Sequence, residues 1–190
     1  ANARVAAGLV LATGGDADAT FDAMKRLVTV RGRLERAAIA PVGAPVYVDY
    51  AHTPDGLEAA IAALRPHVTG RLIVVFGAGG DRDTGKRPEM GRVASELADV
   101  AIVTDDNPRG EDPAEIRAMV LAGMKPGARE IGDRREAIGA AIAEAGAGDI
   151  VLVAGKGHEQ GQIIGRGDNV RVLPFDDVTV AREMAGAGRK

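Results

Sequence analysis

From Val46 onward the chain alternates short β-branched apolar runs with stretches of helix length, and this alternation most limits what it can fold into. The runs are Val46 to Asp49, Leu72 to Phe76, Val100 to Thr104, a weaker one near Arg129 to Ile131, and Ile150 to Ala154. Apart from the weak one near Arg129 to Ile131, each is too short for a helix and too apolar for an exposed strand, so reads as a buried parallel strand. Between them lie predicted helices over Pro54 to Leu64, Arg87 to Leu97, Pro113 to Met124 and Arg134 to Ala145. Thr53, Asp112 and Asp133 stand where N-caps belong. Strand, helix, strand in this order implies a mostly parallel sheet covered on both faces. Gln162 to Ile164 and Val170 to Leu173 predict a hairpin at the sheet edge, followed by a last helix over Asp177 to Met184. Earlier, residues 2 to 13 read as a helix apolar around most of its surface, hence buried, and a second helix is predicted from Thr20 to Val28. Arg31 to Arg36 is a hinge-like transition, and the run after it to Ala40 reads as a strand. The predicted class is α/β: a mostly parallel, Rossmann-like sheet with helices on both faces and an antiparallel edge hairpin, preceded by two helices. The abrupt start in an apolar helix suggests a piece of something longer, with residues 1–30 and 31–190 in different domains.

Loops that follow parallel strands leave the sheet on one edge, where open α/β folds bind ligands. Five such loops are polar or glycine-rich: Asp49 to Thr53, Gly77 to Lys86, Asp105 to Arg109, Gly132-Asp133, and Gly155 to Glu159. Their convergence carries more weight than any one motif. Asp105-Asp106-Asn107-Pro108-Arg109 combines acids that suit an ammonium group with an arginine that suits a carboxylate. Spacing alone leaves two readings: a zwitterion such as an amino acid, or a turn with its own ion pair.

The 46% hydrophobic content contains only 3% aromatics and no Trp, so aliphatic side chains must fill the core. Absence of Cys excludes disulfides and thiolate metal sites. A net charge of -3 with no basic run argues against nucleic acid as the main partner. No apolar stretch reaches the roughly 18 residues of a membrane span, and no signal peptide opens the chain, so a cytoplasmic protein is the default expectation. Two phosphate-binding motifs are imitated. Gly77-Ala78-Gly79-Gly80-Asp81-Arg82 follows a strand like a dinucleotide fingerprint, but Arg82 stands where the last glycine should be. Gly80 to Lys86 fits GxxxxGK, but Arg87 replaces the magnesium-binding Ser or Thr, and Asp81 and Asp83 would face the phosphates. His52, His67 and His158 lack metal-ligand spacing; His52 and His158 lie in the converging loops.

Five stretches in one order, Gly32-Arg33-Leu34-Glu35-Arg36, Val48 to Pro54, Phe76 to Pro88, Thr104 to Arg109 and Ala154 to Glu159, resemble the C-terminal part of the Mur ligase family. The resemblance is greatest to the members that add meso-diaminopimelate to UDP-N-acetylmuramoyl-L-alanyl-D-glutamate, and it spans nearly the whole chain. It implies an ATP-dependent amide ligase in peptidoglycan synthesis. A glutamyl carboxylate is phosphorylated by ATP with Mg2+, and the incoming amine attacks the acyl phosphate. It also implies that residues 1–30 are the last helices of a central ATP-binding domain and that residues 31–190 form the amino-acid-binding domain. The family's phosphate loop and magnesium ligands would then lie outside this chain, which alone would carry no catalytic residue. By the same resemblance, Arg82, Asp106, Asn107, Pro108, Arg109, Gly155 and Glu159 are expected to bind meso-diaminopimelate. Asn2, Arg33, Asp49 and, in the same loop, His52 are expected near ATP. UDP-MurNAc-dipeptide would be the other partner, and the enzyme a monomer. Competing readings are a stand-alone amino-acid-binding module, a nucleotide-cofactor oxidoreductase using Gly77 to Gly80, and a folylpolyglutamate-type ligase.

Overall fold

The computed structural model describes residues 2–28 and 30–186. The chain divides into two compact units, residues 1–30 and 31–190. The first holds α1 (Asn2–Ala12) and α2 (Ala17–Lys25). Asp16 accepts a hydrogen bond from the Ala19 N–H, so α2 begins three residues before the predicted Thr20 and ends at Lys25 rather than Val28. The expectation that α1 is buried fails within this unit: Val5 and Leu9 are 62% and 63% exposed, and Ala7 is buried. A helix that is apolar all round cannot be covered by one partner helix along a single seam.

The second unit is built on a six-stranded sheet of order β1-β2-β6-β3-β4-β5. Its strands are β1 (Glu35–Ile39), β2 (Pro45–Asp49), β3 (Leu72–Phe76), β4 (Val100–Val103), β5 (Arg129–Glu130) and β6 (Ile150–Ala154). Only β1 runs antiparallel; every other pairing is parallel. The helices are α3 (Pro54–Leu64), α4 (Lys86–Leu97), α5 (Pro113–Leu121), α6 (Arg134–Glu144) and α7 (Asp177–Gly186). Thr53, Asp112 and Asp133 each accept a backbone N–H and cap α3, α5 and α6 as predicted. Two helix ends move from prediction. α5 stops at Leu121, three residues before Met124, and α7 continues to Gly186.

The period-two alternation of strand side chains splits the core into two layers. Ile73, Val75, Val151 and Val153 pack with α6 and α7 residues such as Ile138, Ile142, Val178 and Ala181. Leu72, Val74, Phe76 and Leu152 pack on the other face with α3, α4 and α5 through Leu57, Ile61, Met90 and Val120. Both faces of β3 and β6 are fully buried, which is why these strands are continuous runs of Val, Ile and Leu.

The predicted hairpin forms as β7 (Gly161–Ile164) and β8 (Arg171–Pro174), but as a separate two-stranded sheet. It attaches instead to the loop after β4. The Arg109 N–H donates to Ile163 O at 3.0 Å, and the Gly165 N–H donates to Arg109 O at 2.7 Å. The sheet edge next to β2, on the outside of β6, is already occupied by antiparallel β1. No helix among the described residues is long and apolar enough to cross a membrane.

Candidate functional site

The loops after β2, β3, β4 and β6 meet beyond the carboxyl ends of their strands. They enclose a cavity of about 260 Å³ lined by Tyr50, His52, Gly79, Arg82, Lys86, Asp106, Asn107, Arg109, Gly155 and Glu159. The Gly132-Asp133 turn, the fifth loop expected to converge, is not in its wall. A second, shallower cavity of about 310 Å³ lies alongside, lined by Arg33, Leu34, Asp49, Tyr50, Ala51, His52, Thr53, Gly56, Ala59 and Ala60. Tyr50 and His52 belong to both walls.

In the first cavity, six of the seven residues expected to bind the amino acid come together. Pro108 does not line it; it borders a small separate void with Ile116 and Arg117. Its carbonyl instead explains Gly80: a Cβ there would fall 1.9 Å from Pro108 O, so the two loops touch only because position 80 has no side chain. The glycines that imitate a dinucleotide fingerprint therefore serve loop-to-loop packing. In the same contact the Gly80 N–H donates to Asn107 O at 2.9 Å. Gly155 has φ +125°, and a Cβ on it would approach Asp106 Oδ2 to 2.7 Å. Glycine is required there on both counts.

Arg109 sits in the left-handed region at φ +52°, held by the hairpin on both its N–H and its carbonyl. Its Nη1 donates to Gly80 O at 2.9 Å and lies 3.4 Å from Asn107 O. Among the described residues no hydrogen bond engages its Nε or Nη2. That edge of the guanidinium is the one that grips a carboxylate with two parallel bonds. Arg82 is exposed at the rim and donates only to the neighbouring Asp81 O, at 3.0 Å. Lys86 Nζ donates to His52 O at 2.8 Å. Burial holds its ammonium below the ordinary lysine range.

The acids divide by role. Asp105 turns away and pairs with Arg117 of α5. Asp106 is 7% exposed, and its Oδ1 lies 3.2 Å from Lys156 Nζ. Burial alone would raise its pKa, but the Arg134 and Lys156 cations together bring it below the usual carboxylate range. The expectation that Asp106 or Glu159 receives an ammonium thus narrows to Glu159, because Asp106 is already neutralised from within. Glu159 is half-buried, and its Oε2 accepts from Asn107 Nδ2 at 2.9 Å. Because the folded pKa of Asp106 lies below its unfolded value, its stabilisation is complete above the unfolded value of about 3.9 and is lost as pH falls through the folded one. Thermal melts of the native chain and Asp106→Asn should therefore differ by a constant margin between about pH 5 and 7, and converge below about pH 4. A margin that persists undiminished at low pH would contradict this assignment.

In the second cavity, the Arg33 guanidinium lies 4.6 Å from the centroid of the Tyr50 ring, a cation–π contact. His52 and His158 flank the same ring, with centroids at 4.6 and 5.0 Å. Asp49 is more committed than its expected role requires. Its two oxygens accept the Leu34 and Ala51 N–H groups, each at 2.8 Å. It braces Leu34, which has φ +44°, and keeps one lone pair per oxygen for a ligand. Asn2 begins α1, and its side chain lies outside the described residues.

Sequence reasoning placed Tyr50, Lys86 and Lys156 in the right loops without giving them a role. Lys156 is completely buried, and only its position between two glycines hinted at a side chain turned inward.

An open, mostly parallel sheet with a cavity of mixed charge beyond its carboxyl edge defines a domain of the doubly wound α/β class, with its candidate ligand site where that class places one. The protein-family model described as "Mur ligase, glutamate ligase domain" matches residues 32–157, and the chain belongs to that family. A UDP-N-acetylmuramoyl-L-alanyl-D-glutamate--2,6-diaminopimelate ligase of Zymomonas mobilis is 71% identical over 182 residues, covering 96% of this chain and 37% of that protein. The like-named Caulobacter vibrioides ligase is 59% identical over 177 residues, covering 93% and 35%. A solved structure of a ligase with the same name superposes with a TM-score of 0.76 at 42% identity, covering 97% of this chain and 37% of that one. The alanine ligase MurC of Thermotoga maritima, at 18% identity and a TM-score of 0.67, shares the fold. The chain thus spans a little over a third of the length of the curated relatives it matches.

Proposed function

We propose that this chain is the amino-acid-binding part of a cytoplasmic, monomeric, ATP- and Mg2+-dependent ligase. The ligase joins meso-diaminopimelate to UDP-N-acetylmuramoyl-L-alanyl-D-glutamate in peptidoglycan synthesis. On this reading residues 1–30 close an ATP-binding domain and residues 31–190 bring in the amino acid. The observation that carries it is the first cavity, in which Arg82, Lys86 and Arg109 face Glu159 while Asp106 is neutralised by Lys156. Meso-diaminopimelate has a carboxylate and an ammonium at each end. The open edge of Arg109 takes the distal carboxylate, Glu159 the distal ammonium, and Arg82 the carboxylate beside the reacting amine.

The second cavity suits part of a nucleotide. Arg33 offers a cation for phosphate, and Asp49 offers its remaining lone pairs to ribose hydroxyls. The described residues do not fit a magnesium site, since no three His, Asp or Glu side chains converge. No step is therefore assigned to a metal held by this chain. Its own residues orient the amine and exclude the wrong amino acid. Lysine lacks the distal carboxylate and would leave Arg109 unpaired, at a cost of about 3 kcal/mol or more, roughly a hundredfold.

The complete gene product should release phosphate from ATP when given the dipeptide substrate and meso-diaminopimelate, at least about a hundredfold more efficiently than with lysine. Binding of diaminopimelate without phosphate release would favour a stand-alone binding module. Binding of NAD at Gly77 to Gly80 would favour an oxidoreductase.

A further inference from the structure

Lys156 is fully buried behind the first cavity's wall, against Asp106 and Asn107, which line it. It belongs to the glycine-flanked loop after β6 and points under the loop after β4. It donates to Asn107 Oδ1 at 2.7 Å and to Gly161 O at 3.0 Å, and forms an ion pair with Asp106 Oδ1 at 3.2 Å. An ammonium saturated in this way cannot rotate without losing a bond, and it offers nothing to a ligand directly.

Its effect passes through Asn107. The Asn107 Oδ1 accepts twice, from Lys156 Nζ and from the Ile163 N–H at 2.9 Å. Two fixed donors on one side decide which way the amide faces, since reversing it would set its NH2 group against both. The Nδ2 must then point the other way, and there it donates to Glu159 Oε2 at 2.9 Å. The same ammonium also pairs with Asp106, leaving Glu159 as the cavity-lining carboxylate with no salt bridge among the described residues.

We propose that Lys156 is a positioning residue for amino-acid selectivity: through the Asn107 amide it aims Glu159 at the second ammonium group of a diamino dicarboxylic acid. This rests on the reading of the first cavity as the amino-acid site. Lys156 touches no substrate; it sets the orientation and the solitary charge of the group that does.

The test uses the complete gene product and two amino acids that share both carboxylates: meso-diaminopimelate, and 2-aminopimelate, which lacks one amino group. The readout is the ratio of their kcat/KM values. Lys156→Met should lower that ratio tenfold or more, chiefly by raising the KM for diaminopimelate, with the KM for ATP unchanged. Lys156→Met leaves Asp106 buried and unpaired and risks misfolding, so Asp106→Asn/Lys156→Met is measured beside it. That double variant removes the charge pair together but leaves the Asn107 amide held by the Ile163 N–H alone, and a fall in the ratio is again expected. If both amino acids weaken by one common factor in the folded double variant, Lys156 is merely structural and the proposal is overturned. A native enzyme that fails to distinguish the two amino acids would instead overturn the reading of the cavity, and the proposal with it.

Discussion

Arg109→Ala should raise the KM for meso-diaminopimelate about a hundredfold or more in the complete gene product, while the KM for ATP stays within about twofold. The size follows from removing one partner of a charge-assisted, bidentate pair inside a cavity, about 3 kcal/mol at ten-fold per 1.4 kcal/mol. The direction follows from geometry. Nη1 is spent on Gly80 O and Asn107 O, and Nε and Nη2 of this cavity-lining residue make no hydrogen bond among the described residues. Fold disruption is a poor rival explanation, because the hairpin holds position 109 by its main chain, which alanine keeps. Arg109→Gly provides the control. It relieves the left-handed backbone at φ +52° and should lose diaminopimelate as badly as alanine does. A further mark is selectivity: lysine, which has no distal carboxylate, should suffer little from either change. An unchanged KM for diaminopimelate would falsify the role given to Arg109.

Arg134→Met should cost about 3–5 kcal/mol of stability, the range for breaking a buried ion pair from one side. At about 2–4 °C per kcal/mol for a chain of this size, the melting temperature should fall by roughly 6–20 °C. Arg134 opens α6 and Asp177 opens α7, both essentially without solvent contact. Nε donates to Asp177 Oδ1 at 2.8 Å and Nη2 to Oδ2 at 2.7 Å. Nη2 also donates to Ala154 O at 3.0 Å, and Nη1 to Asp105 O at 3.3 Å. The guanidinium thus joins the ends of β4 and β6 under the cavity. Burial opposes its charge most, yet Asp177, Asp106 and Glu159 together outweigh this and raise its pKa. Arg134→Met/Asp177→Leu should be less destabilised than Arg134→Met, since no charge is then stranded. A single variant that melts within a degree or two of the native chain would remove the pair from the list of supports beneath the site.

The parallel sheet was readable because β3 and β6 are buried on both faces and so leave continuous apolar runs between turn residues. The helix starts were readable where Thr53, Asp112 or Asp133 supplied a cap next to a periodic stretch. The Asp16 cap went unread, and α2 begins three residues before the expected Thr20. The placement of the hairpin was not readable: the side chains of β7 and β8 say that they pair, but the bonds that dock them run through backbone groups of Arg109. Convergence of the charged loops followed from topology alone. Which acid stays free did not, because the partner of Asp106 lies fifty residues on, in Lys156. A pairing at that distance has no local signature. The α1 surface failed for the opposite reason: apolarity says that a helix wants cover and not whether its neighbour provides it.

Main-chain anchoring of Arg109 has a corollary. Its amide and carbonyl are clasped by Ile163 and Gly165, so the main-chain attachment of this loop to the hairpin runs through groups that every residue but proline supplies. On the proposed reading, a substitution at this position would change which amino acid is accepted while the main-chain clasp that presents the side chain stays in place.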